Sequence, residues 1–251
     1  MTSSGTVFDP VAAHYDAFRP AYPDELYDLL QSYTGPLAGA RVLDLAAGTG
    51  IATRQLTERG ARVVAADLGA EMLRVLHARS PGVPAAQARG EALPFRAAAF
   101  DLVICATAWH WIALMRRAAE ALRVLRPGGA LAIWWAFGGL EGDEHLAQRE
   151  REIYQKWRVG ELPLVTPTPE VADETQALPE AGFVDLEVRA IQSTRKVSVA
   201  EHLGHLSTHS PVLALRDELP RFQAELRSAF DGRDSVVEQV HCHVVLARRP
   251  R

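Results

Sequence analysis

Short apolar runs alternate with segments whose apolar residues recur at helical spacing through the first half of the chain. Strands are predicted at 41–45, 61–66, 100–106 and 130–136, and helices at 25–33, 51–59, 72–76 and 114–125. Because the predicted strands are apolar almost throughout, they favour a parallel sheet that is covered on both faces. The first half of the chain therefore predicts an α/β fold.

The second half follows a different pattern. A polar segment at 141–156 predicts a helix, and the stretch 162–169, with three prolines, predicts a loop. Alternating apolar and polar residues near 182–190 and 240–248 predict two late strands, which would pair antiparallel at the edge of the sheet. The stretch 197–231 between them predicts helices, which would cover the strand ends as a cap.

Composition narrows the class of protein. The 251 residues carry a net charge of −4 without a basic block, which disfavours nucleic acid as a partner. No apolar run approaches the roughly 20 residues that span a bilayer, and two cysteines are too few for a disulfide framework. Since the first residues also lack a signal-peptide pattern, we expect a cytoplasmic protein that does not bind membranes.

A turn of small residues follows the first predicted strand, within the sequence VLDLAAGTG at 42–50. Glycines here let a ligand approach the backbone, and such a turn at the carboxyl end of a first strand forms a nucleotide site. A dinucleotide site needs a glycine three residues after Gly50, where Thr53 stands. Asp44 also adds negative charge where a pyrophosphate would lie. The pattern therefore favours S-adenosylmethionine, which is cationic and carries no phosphate.

Asp67 ends the second predicted strand, about 20 residues after the glycine turn. An acid in this place can accept hydrogen bonds from both hydroxyls of a ribose. The alternative is that Asp67 caps the helix that follows. With the glycine turn upstream, ribose binding is the favoured interpretation.

These motifs resemble those of the class I S-adenosylmethionine-dependent methyltransferases of the type 11 group, and are similar in particular to the trans-aconitate methyltransferase branch. Further matches are YDAFRP at 15–20, GEALPF at 90–95, the fourth-strand motif at 100–106, the run TAWHW at 107–111 and RVLRPGG at 123–129. The resemblance implies a Rossmann-like, seven-stranded, mostly parallel sheet with helices on both faces and a small helical cap.

It also implies one methyltransferase domain over 1–251, with four parts. These are an N-terminal lid over the cofactor at 1–35, a cofactor-binding core at 36–137, a substrate cap region at 138–232 with an edge strand near 182–190, and a C-terminal edge strand at 240–248.

Cofactor contacts are carried over onto the matching positions. They are Tyr15, Arg19, Asp44, Ala46, Gly48, Thr49, Gly50, Asp67, Leu68, Met72, Gly90, Glu91, Ala92, Cys105 and Ala106. Tyr15 would close over the methionine moiety, and Arg19 would pair with its carboxylate, the alternative for Arg19 being a surface ion pair. Three positions depart from the family: Ala46 replaces the first glycine of the turn, Arg89 stands where an aspartate is common, and Thr107 stands where a glutamine is common.

Candidates for chemistry and substrate binding follow the fourth strand. His110 is a general base or orients the substrate, the alternative being a packed structural histidine. Tyr15 is a second catalytic candidate. Further substrate-facing candidates are Trp109, Trp111, Trp135, His205 and His209. The last two are four residues apart, on one helical face, but further ligands for a metal are lacking, so no metal site is expected.

The sequence thus predicts methyl transfer from S-adenosylmethionine to a small-molecule acceptor by in-line displacement. Oxygen, nitrogen, carboxylate and carbon acceptors stay open, as does the oligomeric state. Two alternatives are a nicotinamide-dependent oxidoreductase and a non-catalytic cofactor-binding or regulatory protein on the same fold.

Overall fold

The computed structural model describes residues 7–160, 169–230 and 232–251, and these build a seven-stranded sheet. Its strands are β1 (Arg41–Leu45), β2 (Arg62–Asp67), β3 (Ala85–Gln87), β4 (Phe100–Ala106), β5 (Leu125–Leu140), β6 (Val184–Ser198) and β7 (Ser235–Arg248). Their order is β3-β2-β1-β4-β5-β7-β6. The first five run parallel, while β7 runs antiparallel to both of its neighbours. The predicted α/β, Rossmann-like fold is confirmed.

Helices cover both faces of the sheet. They are α1 (Ala12–Phe18), α2 (Asp24–Thr34), α3 (Ile51–Glu58), α4 (Ala70–Arg79), α5 (Leu114–Val124), α6 (Glu144–Trp157), α7 (Pro169–Glu180), α8 (Val199–Leu206), α9 (Ser210–Leu213) and α10 (Leu219–Ser228). Leu30 of α2 and Leu56 of α3 are buried against one face. Ala121 of α5 and Leu178 of α7 are buried against the other. No helix in the described part of the chain has the length and apolarity that crossing a membrane requires.

The position of the last strand corrects one prediction. β7 is not an edge strand, because it lies between β5 and β6. Its residues are buried on both faces: Cys242 and Val244 contact one core cluster, and Val245 and Ala247 contact the other. A strand whose two faces are both buried is typical of the interior of a sheet, whereas the largely exposed β6 forms the edge.

Three further differences are local. The three-residue edge strand β3 was not predicted, since it is too short and too exposed to show a pattern. The end of the RVLRPGG run, at 127–129, is a bulge within β5, where pairing jumps from Phe100–Leu125 to Leu102–Ala130. The predicted loop at 162–169 lies outside the described residues, except for its last residue, which begins α7.

The cap helices pack on the parts of β5 and β7 that extend beyond the parallel strands. Pairing of β5 with β4 ends at Trp134, whereas its pairing with β7 continues to Leu140. Helices α6, α8, α9 and α10 pack on this extension around a separate apolar cluster that includes Tyr154, Leu203 and Phe222. The cap thus belongs to the end of the sheet where the parallel strands finish.

Candidate functional site

The turn after β1 has backbone torsions that few side chains tolerate. Ala46, Gly48 and Gly50 have φ of 56°, 57° and 84°. Such angles favour glycine, and Ala46 adopts one as a non-glycine residue, which costs about 1 kcal/mol. Gly50 is also the N-cap of α3, and a Cβ there would lie 2.9 Å from Cγ of Leu76. Gly50 therefore has a packing role between α3 and α4.

Asp67 joins two loops at the ends of neighbouring strands. Its Oδ2 accepts a hydrogen bond from the Gly48 N–H at 2.8 Å, and its Oδ1 accepts one from the Gly69 N–H at 2.7 Å. Burial raises the pKa of this carboxyl group. Each oxygen keeps a further lone pair, so Asp67 can bind a ligand while it holds the loops together. The helix N-cap is Gly69, whose conformation Asp67 supports.

The N-terminal segment is bonded to the core. Oδ1 of Asp9 accepts from the backbone N–H groups of Glu71 and Met72, which satisfies the start of α4. Asp16 forms ion pairs with Arg54 and Arg79, each at 2.8 Å.

The same segment also contacts the cap. His14 Nε2 lies 2.6 Å from Oγ of Ser207, and Arg19 donates to the carbonyl oxygen of Thr208 at 3.3 Å. The N-terminal segment therefore links the core to the cap helices.

These elements enclose a cavity of about 510 Å³ at the carboxyl ends of β1, β2 and β4. Many predicted site residues line it: Tyr15, Arg19, Ala46, Gly48, Thr49, Asp67, Leu68, Met72, Gly90, Glu91, Ala106, His110 and Trp111. The volume is typical of sites for small molecules and cofactors. Tertiary structure thus gathers residues from six separate parts of the sequence around one space.

A smaller pocket of about 30 Å³ adjoins the large cavity beneath the cap. The two share Tyr15, Arg19, Tyr22, Ile51 and Thr107. The remaining lining comes from the lid, β5, α8 and β7: Pro20, Ala21, Ala136, Phe137, Gly138, His205 and Val240. A ligand in the large cavity would face this second space across the shared residues.

Several predicted residues do not line either space. Asp44 and Cys105 are fully buried within strands, and Trp109 and Trp135 are part of the core. Asp44, Cys105 and Trp135 point from their strands into the packed interior, and Trp109 is buried from its 3₁₀ helix. Gly50, Ala92 and His209 also lie outside both linings.

Asp44 has a specific local environment. The Thr53 hydroxyl donates to its Oδ2 at 2.5 Å, while its Oδ1 is buried without a hydrogen-bond partner among the described residues. Burial raises the pKa of Asp44 to about 7, which the Thr53 hydrogen bond opposes. Thr53, which stands where a dinucleotide site has glycine, thus binds the acid near the end of β1.

Glu91 and His110 are both held by neighbours. Oε1 of Glu91 accepts from the Ala113 N–H at 2.9 Å, which anchors the segment after a one-turn 3₁₀ helix (Trp109–Trp111). The Trp135 indole Nε1 lies 3.2 Å from Nδ1 of His110. The buried tryptophan therefore orients His110 instead of lining the site itself.

Some lining residues were not predicted. Phe8 stacks edge-on with Tyr15, its ring centroid 5.4 Å away, and Tyr22 stands three residues after Arg19 on the same lid. Their nearness to the lid motif was a signal that could have found them. Arg117, by contrast, reaches the cavity from α5, and no local pattern marks it.

The cap contains a buried charge network next to the smaller pocket. His202 lies between Glu150 at 2.7 Å and Glu238 at 2.6 Å. Burial opposes its charge, but the two carboxylates dominate and raise the pKa of His202 to about 9. His205 has no such pair of partners, and burial lowers its pKa to about 4. Its ring packs on His209 with centroids 5.0 Å apart.

The large cavity presents polar atoms that are suited to a ligand with a charged end. Oγ1 of Thr49 and Nε of Arg19 are buried and have no hydrogen-bond partner among the described residues. Arg19 and Thr49 both line the cavity, as does Asp67, each of whose carboxylate oxygens keeps a further lone pair. These groups fit the carboxylate and the ribose of S-adenosylmethionine. The described residues hold no cluster of His, Cys, Asp and Glu that could bind a metal ion.

Comparison with known proteins agrees with this geometry. Residues 43–133 match the methyltransferase domain family. A demethylmenaquinone methyltransferase of Corynebacterium urealyticum is 33% identical over 198 residues, which cover 74% of this chain and 83% of that protein. An uncharacterised methyltransferase of Mycobacterium tuberculosis is 44% identical over 128 residues, or 51% of each chain, so the chain spans about half the length of that relative.

The solved structures add a match over nearly the whole fold. The structure of a candidate type II methyltransferase from Anaeromyxobacter dehalogenans superposes with a TM-score of 0.71 at 27% identity, covering 93% of this chain and all of the other. Together with the glycine turn, Asp67 and the cavity that they enclose, these similarities show that the chain belongs to the class I S-adenosylmethionine-dependent methyltransferases.

Proposed function

We propose that this protein transfers a methyl group from S-adenosylmethionine to a small molecule, and that donor and acceptor both bind in the large cavity. The observation that carries the proposal is the lining of this cavity of about 510 Å³, which brings Arg19, Thr49 and Asp67 together with Thr107 and His110. The adjoining pocket of about 30 Å³ has room for little more than water. A donor and an acceptor that share the large cavity would meet near the end of β4.

The cofactor's parts are assigned by the chemistry of the lining. Asp67 would accept from the ribose hydroxyls, with Leu68 and Met72 beside the base. Arg19 and Thr49, whose buried polar atoms are unpaired among the described residues, would hold the methionine carboxylate. Tyr15 lies under the Arg19 guanidinium, 5.0 Å from ring centroid to Cζ, and keeps it facing the cavity.

When bound, the cofactor supplies an electrophilic methyl group: the acceptor's lone pair bonds to the carbon while the carbon–sulfur pair of electrons stays on sulfur. The protein's contribution is then mainly positioning, which supplies up to about 7–11 kcal/mol in favourable cases. The lid, tied to the core by Asp16 and to the cap by His14, would keep water out and hold both reactants in line.

The acceptor side combines aromatic walls with a few polar groups. Tyr15, Tyr22 and Trp111 line the large cavity together with the polar side chains of Thr107 and His110. This suits a small organic acceptor better than a polymer.

The specific relationship to the trans-aconitate methyltransferase branch and a cytoplasmic location stay predictions, the latter supported by the free, buried Cys105 and Cys242.

The proposal is tested in two steps. Isothermal titration calorimetry of the whole chain should show binding of S-adenosylhomocysteine and none of NAD or NADP. Methyl-tritiated S-adenosylmethionine and a bacterial small-molecule extract should then yield labelled product. Preferential binding of a dinucleotide would favour the oxidoreductase alternative. Tight binding of S-adenosylhomocysteine with no labelling would favour a non-catalytic cofactor-binding protein.

A further inference from the structure

Tyr22 lines both the large cavity and the smaller pocket, and its position is fixed by its backbone and its ring. Its backbone N–H donates to Oε1 of Gln55 at 3.0 Å, and its carbonyl oxygen accepts from Nε2 of the same side chain at 2.8 Å. Its ring packs edge-on against Trp134, with the ring centroids 5.3 Å apart. These three contacts hold the residue without using its hydroxyl group.

Thr107 stands beside this hydroxyl group in a strained conformation. It directly follows β4, lines the same two spaces and forms a hydrogen bond with the side chain of Tyr22. Its φ is 56°, in the left-handed region that β-branched residues rarely adopt. Its Oγ1 also accepts from the Ala136 N–H at 3.4 Å. Strain of this kind is concentrated at functional sites, where the surrounding structure maintains it.

The order of the strands indicates which part of the cofactor these hydroxyl groups face. Asp67, the proposed ribose ligand, ends β2, while Thr107 follows β4, and β1 lies between these two strands. Arg19, proposed to hold the carboxylate, shares the lining of both spaces with Tyr22 and Thr107. The sulfur of S-adenosylmethionine connects the ribose to the methionine chain. A cofactor held at Asp67 and Arg19 therefore directs its sulfur toward the end of β4.

We propose that the hydroxyl oxygen of Tyr22, positioned by Thr107, contacts the methyl group of the bound sulfonium and so raises the affinity for the methylated donor relative to the demethylated product. The inference rests on the proposed function and deepens it. It assigns recognition of the donor to two residues that the sequence did not mark as cofactor contacts.

The donor and the product differ at this one place. The sulfonium of the donor is positively charged, and its methyl C–H bonds are polarised, so they form weak hydrogen bonds to oxygen. The thioether of S-adenosylhomocysteine has neither the charge nor the methyl group. Whichever of the hydroxyl groups of Tyr22 and Thr107 donates to the other, the phenol oxygen keeps a lone pair for the methyl group. The contact is therefore available to the donor alone.

The phenol of Tyr22 has to stay protonated in this role. Burial raises its pKa, to which Tyr15 and Asp44 add, while Thr107 and Arg19 lower it by less. The phenol is therefore neutral at pH 7. A phenolate next to a sulfonium methyl group would be a nucleophile and would be methylated itself. A neutral phenol oxygen attracts the methyl group but does not displace it from sulfur.

Replacement of Tyr22 by phenylalanine removes the hydroxyl group and keeps the backbone bonds to Gln55 and the packing on Trp134. Isothermal titration calorimetry of the whole chain, without a methyl acceptor, gives the Kd of S-adenosylmethionine and of S-adenosylhomocysteine. In Tyr22→Phe, the affinity for S-adenosylmethionine should fall about fivefold, and that for S-adenosylhomocysteine by less than about twofold. Equal changes for both ligands, or no change for either, would overturn the inference.

Tyr27→Phe is the matched control. The Tyr27 hydroxyl also bonds to Gln55, donating to Oε1 at 3.0 Å, but Tyr27 is buried outside both spaces. This variant should keep the wild-type ratio of the two Kd values. Thr107→Val should weaken binding of S-adenosylmethionine more than that of S-adenosylhomocysteine, and Thr107→Ser, which keeps the hydroxyl group, should keep the wild-type ratio. An equal effect of Thr107→Val on both ligands would refute the positioning role of Thr107.

The contact can also be measured on the donor. With a ¹³C-labelled methyl group on S-adenosylmethionine, the ¹H resonance of the bound methyl should lie downfield in the wild type relative to Tyr22→Phe, since both forms have an aromatic ring at this position. The same methyl shift in both forms would contradict the contact. Failure of the wild-type chain to bind either ligand would count against the proposed function, whereas binding with an unchanged ratio in the variants would count against this inference alone.

Discussion

Replacement of Asp67 by alanine tests the central assignment of the site. In the structure, its two oxygens accept one backbone hydrogen bond each, at 2.8 and 2.7 Å, and each has a lone pair left for a ribose hydroxyl. Hydrogen bonds to a charged group contribute about 1.5–3 kcal/mol each. Loss of two such bonds at the low end of this range gives about 3 kcal/mol, or roughly 100-fold weaker binding.

The substitution should reduce the free energy of unfolding by less than it reduces the free energy of ligand binding. Asp67→Ala leaves the N–H groups of Gly48 and Gly69 without their acceptor, which costs about 1–3 kcal/mol for each that stays buried. Removal of a buried charge offsets part of this cost, since burial raises the pKa of Asp67. We therefore expect unfolding to become easier by about 1–2 kcal/mol, against a larger change in binding.

The assay compares two variants by calorimetry and urea unfolding. Asp101→Ala is the matched control, because Asp101 also accepts a backbone N–H, that of Arg41, at 2.8 Å, but lies at the opposite end of the sheet. Folded Asp67→Ala that binds S-adenosylhomocysteine within about threefold of wild type would refute the ribose assignment. Equal loss of binding in both variants would show that the effect is global.

Two further predictions concern stability and the lid. The pKa of Asp44 is raised by burial to about 7, above its unfolded value of roughly 3.9, so its contribution to stability is complete below that value and is lost as pH rises through 7. The melting temperature of the ligand-free chain should fall from pH 5 to pH 8, and Asp44→Asn should reduce the slope. Gly204→Ala would place a Cβ in a steric clash with the ring of Phe18. Because such overpacking costs about 1–3 kcal/mol, the lid should separate from α8, weaken binding of S-adenosylhomocysteine about tenfold and be cleaved faster by trypsin.

Controls distinguish these effects from general destabilisation. An unchanged pH slope in Asp44→Asn would mean that other groups cause it. Gly139→Ala is the control for the lid, because a Cβ at Gly139 meets no atom within 4 Å. Wild-type affinity in Gly204→Ala would show that contact between Phe18 and the cap does not support ligand binding.

The local motifs were predictable because each consists of residues that are adjacent in the sequence. The turn at Ala46, Gly48 and Gly50 follows from small residues between an apolar strand and a helix, and its positive φ angles agree. Asp67 was found by its distance from that turn. The turn and Asp67 both lie at the carboxyl ends of parallel strands, where this type of fold places its ligand-binding loops.

Side-chain direction and the order of the late strands needed the tertiary structure. Cys105, Trp109 and Trp135 are near the site in sequence but turn into the core, since orientation depends on which helix or strand covers each face. Likewise, the apolar pattern of β7 showed a strand but not that β6 would pair with its outer side.

The sequence by itself determined the type of fold, the ligand-binding turn and the acid beside it, because these are properties of neighbouring residues. Tertiary structure alone decided that the lid reaches Ser207 and Thr208 of the cap and that Trp135 lies within hydrogen-bonding distance of His110. Residues so far apart along the chain come into contact only when packing brings their helices and strands together. The spacing of residues in the sequence does not predict such contacts.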